Sequence, residues 1–305
     1  MTSIPLSLSL NQELQILYQV VWDLRSSQYI EVATFVAMIY DILITLTDGV
    51  ELMWKAKWSP GKLLYFCARY PVAIEGILWL IYAINIADSA NFCRVELYTA
   101  IWANLLFLIP CQIIIIGRSM ALWEKRRWIT FLLGSVAATT DLIIFGTLIH
   151  ISRKIKFAMD PLLIPILGCS SGLFDFDARV TLPIWGALLF FDTVIFILTF
   201  SRAYRAYRST RTRLIEVLIR DGFVYYTFML LLTVANILFL TALPPERGAL
   251  QTMFTPVMRA TFSIVGSRIM LNLRGVLKAN QQYSGRHATG KNVPRSTLPE
   301  MSHSG

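Results

Sequence analysis

The chain has 305 residues, 55% hydrophobic and only 15% charged, whereas a soluble domain of this size carries about 25% charge. That deficit argues against an ordinary water-soluble globule and for a chain whose main solvent is lipid. The net charge of +9 could suggest nucleic acid, but the basic residues fall mostly in alternate loops, the pattern of membrane topology.

Residues 1–29 have no basic leader and no long apolar run, so no cleavable signal peptide is expected. Leu14–Tyr18 and Val20–Trp22 suit a short interfacial helix, with a disordered lead-in as the alternative. Seven apolar stretches follow: Ile30–Leu52, Leu63–Ile86, Leu97–Gly117, Trp128–Ile151, Leu182–Phe200, Phe223–Leu243 and Met253–Leu273. The third to sixth are nearly free of charge and long enough to cross ~30 Å of hydrocarbon. The other three carry charges inside the stretch. The expected fold class is an all-α membrane protein: a seven-transmembrane-helix bundle over residues 30–274, N-terminus outside and C-terminus inside. Residues 1–29 would be an extracellular segment, and 275–305 a polar, disordered cytoplasmic tail.

The orientation follows from charge. With the N-terminus outside, eighteen of the 28 basic residues fall on inner segments, seven on outer segments and three within spans. The outer cluster Arg153–Lys156 runs against this trend. Trp54 and Trp58 flank Lys55 and Lys57, and Trp123 and Trp128 bracket Lys125–Arg127; both arrangements read as interface anchors. Pro110 suits a kink in span three, and Pro256 falls in span seven. No matched pair of broken spans suggests an inverted-repeat transporter.

Tyr40-Asp41-Ile42-Leu43-Ile44-Thr45-Leu46, Val50-Glu51-Leu52-Met53-Trp54, Trp58-Ser59 and the closing Arg69-Tyr70 form one signature. It resembles the N-terminal segment of a large fungal family of seven-helix membrane proteins, catalogued as domain of unknown function 6533. Arg118 with Ala121-Leu122-Trp123, Asp221-Gly222 with Tyr225-Tyr226, and Ser267–Arg274 are similar to later parts of that family, extending the likeness over residues 28–275. Gly49 departs from the pattern, which would have an acidic residue there. The resemblance implies a seven-helix, receptor-like architecture and no known ligand or reaction.

Cys93 lies just before span three and Cys169 in the long outer loop Ser152–Val180. Both would face an oxidising compartment, and seven-helix receptors commonly carry a disulfide in this position; the alternative is two free thiols. Cys67 and Cys111 fall within spans and read as packing residues.

Charges inside spans normally face the bundle interior and find partners. A rise of about 1.5 Å per residue places Asp41, Arg69 and Arg268 at similar depth in spans one, two and seven, so an inner ionic cluster is expected. Glu75 and Arg259 are expected to form a second pair. Asp141 and Asp192 have no evident basic partner; with Glu75 and Arg259 they are candidate polar residues of a ligand or ion cavity. In the connector between spans five and six, Arg202, Arg205 and Arg208 share one helical face. That face suits a cytoplasmic signalling partner or anionic inner-leaflet lipid.

The predicted seventh span has no lysine for a retinal Schiff base, and no paired intramembrane histidines suggest haem or a metal centre. No cofactor, metal site or catalytic set is expected, and an enzyme is disfavoured. The leading reading is an orphan receptor-like protein of the plasma membrane, binding a small molecule in the outer half of the bundle. The alternative is a transporter or channel using Asp41, Glu75, Asp141 and Asp192. Acids aligned on one wetted track would favour transport; acids paired separately would favour the receptor.

Overall fold

The computed structural model describes residues 10–83, 89–123, 126–155, 158–159, 172–173, 177–209 and 213–288. Among these residues the long helices are α1 (Leu10–Ile44), α2 (Pro60–Ala83), α3 (Ala90–Leu122), α4 (Arg127–Lys154), α5 (Leu182–Ser209), α6 (Arg213–Ala242) and α7 (Thr255–Ala288). Stretches of six of them, all but α7, are long and apolar enough to cross a membrane. The chain is an integral membrane protein.

Neighbouring helices pack in chain order, and α7 closes the set against α1, α2 and α6. α3 is the central element, touching α2, α4, α5 and α7. The main core is built from this centre, with Ile115, Ile129, Leu133, Phe191, Ile195, Leu240 and Ile269 wholly or almost wholly buried. The outer faces are apolar too: Val36, Leu106, Phe131, Leu142 and Leu231 are exposed, as lipid contact requires. For orientation we call the end that holds Asp23 and the α6–α7 connection the amino end, and the end that holds the α1–α2 connection the carboxyl end.

Helix starts follow local chemistry. Ser59 precedes Pro60, and its Oγ accepts from the Lys62 N–H at 3.3 Å, a capping serine followed by a proline that needs no helical donor. Ser89 caps α3 by accepting from the Phe92 N–H at 3.2 Å. Pro256 is the second residue of α7, where the missing N–H costs nothing. Pro71 and Pro110 lie inside α2 and α3, and both helices continue through them. Between α4 and α5, the short strands β1 (Ala158–Met159) and β2 (Gly172–Leu173) pair antiparallel.

Three expectations need correction. The segment 1–29 is not separate from the first span, because α1 begins at Leu10 and runs unbroken to Ile44, before the expected end at Leu52. The tail does not begin at residue 275, since α7 continues to Ala288. An apolar run marks where lipid contact falls, and a helix can extend past it into polar surroundings. Trp123 is not an interface anchor: it is buried and donates from Nε1 to the Leu198 carbonyl at 3.3 Å, joining α3 to α5. Arg202 Nε donates to the Leu122 carbonyl at 3.0 Å, at the end of α3. The side chains of Arg205 and Arg208 lie outside the described residues.

Candidate functional site

The carboxyl end is held by an ionic cluster. Asp41, in the last turn of α1, is buried. Arg268 on α7 donates from Nε to Asp41 Oδ1 at 2.7 Å, and Arg69 on α2 lies 3.5 Å from Asp41 Oδ2. Arg69 Nη2 also donates to the Asp41 carbonyl at 3.1 Å and to the Thr45 hydroxyl, while its guanidinium stands 5.6 Å from the Tyr65 ring centroid. Helices α1, α2 and α7 thus meet at one carboxylate.

Below this cluster the α1–α2 connection is a short helix (Leu46–Gly49) running into a π turn (Val50–Trp54). Carbonyls at and just after the end of this turn have no helical partner, and cationic side chains reach three of them. Lys62 Nζ donates to the Trp54 and Ala56 carbonyls at 2.8 and 2.9 Å, and lies 4.8 Å from the Trp58 ring centroid. Arg274 donates to the Leu52 carbonyl at 2.9 Å and to Ser59 Oγ at 2.5 Å. Gly49 is buried here, and a Cβ on it would lie 3.0 Å from Tyr65 Oη. A side chain at this position would press on the Tyr65 hydroxyl.

Toward the amino end the helices part around a cavity of about 790 Å³. Its walls are mainly apolar, with contributions from all the long helices except α6. Its charged side chains come from α1 (Asp23, Glu31), α2 (Glu75), the α6–α7 connection (Arg247) and α7 (Arg259). Arg259 donates from Nη1 to Glu75 at 2.5 Å, and its Nη2 lies 3.4 Å from Glu31. At the rim Arg247 makes a two-pronged contact with Asp23, at 2.9 and 2.7 Å. Those hydrogen bonds raise the Arg247 pKa above its ordinary value, the charge of Asp23 adding to the effect.

Glu75 and Arg259 therefore pair and line the cavity. Asp141 and Asp192, the other candidate cavity residues, are not on its wall. Each is used at a helix–helix contact instead. Asp192 on α5 accepts from the Thr233 hydroxyl of α6 at 2.7 Å. The Gln112 amide of α3, with its nitrogen toward α4, donates to the two Asp141 oxygens at 2.9 and 3.3 Å. Among the described residues no group of three or more metal-ligating side chains is assembled.

Sequence reasoning missed Glu31, Glu96, Asp23 and Thr233. Glu96 is buried on α3, and its Oε1 has no hydrogen-bond partner among the described residues. It lies within electrostatic reach of Glu75 and Arg259. Both Glu31 and Glu96 fall at the edge of an apolar run, where a charge reads as the start of a loop. Cys93 is fully buried near the amino end of α3; Cys169 lies outside the described residues. Cys67 and Cys111 are free thiols.

The fold and these contacts define a polytopic helical membrane protein with a preformed cavity among its helices. Residues 29–74 match a family of unknown function (DUF6533). The match covers most of the first span, the π-turn connection and more than half of α2, and so contains Glu31, Asp41, Lys62 and Arg69. No curated protein and no solved structure matches the chain.

Proposed function

We propose that this protein is a seven-span, receptor-like membrane protein of the plasma membrane, with its N-terminus outside and C-terminus inside. It takes a small molecule into the cavity near the amino end and passes the effect to a cytoplasmic partner. The cavity carries this reading. About 790 Å³ of largely apolar space with a few convergent polar groups falls in the size range of small-molecule sites.

Two further observations support it. The four acids considered for a transport path have separate partners: Asp41 two arginines, Glu75 the Arg259 it shares with Glu31, Asp141 the Gln112 amide and Asp192 the Thr233 hydroxyl. A transport path needs acids along one wetted track. In α7, Arg259 and Arg268 face acids from α1 and α2, so a helix too charged by composition alone is compensated enough to span. A Cys93–Cys169 bridge belongs to the same reading and would tie the α4–α5 connection to the top of α3.

Tag accessibility at both termini in intact cells tests the topology: an N-terminal tag reachable from the medium and a C-terminal tag protected are expected, and equal access overturns it. Nucleotide exchange on guanine-nucleotide-binding proteins and uptake into vesicles, each measured against a panel of small molecules, separate the functions. Exchange supports the receptor. Uptake that depends on Glu75, without exchange, replaces it with a transporter.

A further inference from the structure

The polar end of the cavity carries more negative charge than its cation can balance. Asp23 and Arg247 at the rim pair with each other. Deeper in, Arg259 faces both Glu75 and Glu31. Glu31 and Glu75, from α1 and α2, share that one guanidinium. One guanidinium makes a neutral structural pair with one carboxylate, and in a water-poor interior a second carboxylate is held as an anion only by another positive charge.

The surrounding walls fit such a charge on an apolar body. Trp79 and Tyr82 line the same cavity on α2 beyond Glu75, and aromatic faces attract cations. Ile101, Leu108 and Phe262 line the remainder with hydrocarbon. An anionic ligand would meet an arginine already engaged by two carboxylates.

We infer that the cavity takes an organic amine: a basic, protonated nitrogen seated between Glu31 and Glu75, with an apolar body along the aliphatic wall. Glu31 is its principal counter-ion, because its contact with Arg259, at 3.4 Å, is longer than that of Glu75, at 2.5 Å. The inference rests on the reading of this cavity as the ligand site.

The test uses the full chain in nanodiscs of zwitterionic lipid, with empty nanodiscs as the partition control. Three fluorescent probes share one alkyl body and end in a primary amine, its N-acetyl amide or a carboxylate. The amine is expected to bind saturably and about tenfold or more tighter than the other two. Glu31→Gln is expected to remove that preference while the thermal unfolding midpoint shows that the variant remains folded. Ala100→Trp, which fills the cavity from α3, is expected to block binding. Equal binding of all three probes, or preference for the carboxylate, blocked by Ala100→Trp, overturns the amine inference and leaves the cavity reading standing. Saturable binding untouched by Ala100→Trp, or no saturable binding of any probe, overturns both.

Discussion

Arg268 on α7 donates to Asp41 on α1 at 2.7 Å, joining two helices whose contact residues stand 227 positions apart in the chain. Arg69 reaches the same carboxylate from α2, but the two arginines are not equivalent. Arg69 is 3% exposed at its side chain, whereas Arg268 is 38% exposed. Removing Asp41 strands a buried guanidinium; removing Arg268 leaves the Asp41–Arg69 pair in place. Asp41→Ala is expected to cost about 3–5 kcal/mol, and Arg268→Ala about 1 kcal/mol or less. Thermal unfolding of the purified variants in one detergent checks the ranking, and equal losses would contradict it.

This cluster was legible in the sequence because charges inside apolar runs are conspicuous and helical rise fixes their depth. Glu31 and Glu96 were not, for the same physical reason that α1 and α3 start earlier than their apolar runs. Hydropathy measures the thickness of lipid contact, while helix length is set by caps such as Ser89 and by packing. Thr233 was invisible for another reason. A hydroxyl within a span gives no pattern of its own until a neighbouring helix shows which acid it faces.

The Glu75–Arg259 contact couples α2 to α7, and a charge exchange isolates it. Glu75→Arg places two guanidiniums together beside the cavity and is expected to cost about 3 kcal/mol or more. Adding Arg259→Glu restores opposite charges in reversed order. The double variant is expected to recover about 1–3 kcal/mol relative to the sum of the single changes. A double-mutant cycle on thermal midpoints reads this coupling, and strict additivity would mean the contact contributes nothing.

Close approach of α1 to α2 depends on Gly76. A Cβ at that position would overlap the Phe35 ring of α1, so the backbone surface of α2 serves as the seat for an aromatic side chain. Gly76→Val is expected to destabilise by about 1–3 kcal/mol through overpacking. Phe35→Ala in the same chain removes the clash, and the combined variant should lose less than the two single losses summed. Melting temperatures of the three variants decide the matter.

Asp192 is 5% exposed, and it accepts from the Thr233 hydroxyl at 2.7 Å. The same oxygen lies 3.1 Å from the Met229 carbonyl, but one hydroxyl proton serves one strong bond at a time. Thr233→Val preserves shape and deletes only that donor, leaving a buried acid with its oxygen unmatched. The expected loss is about 1–3 kcal/mol. Replacing both partners with apolar groups, as in Asp192→Leu with Thr233→Val, removes the unmatched acid and should be less costly than Thr233→Val alone. That ordering separates a structural clasp between α5 and α6 from a ligand-binding acid: in the amine-probe assay the double variant is expected to bind as the unaltered protein does, because neither residue lines the cavity.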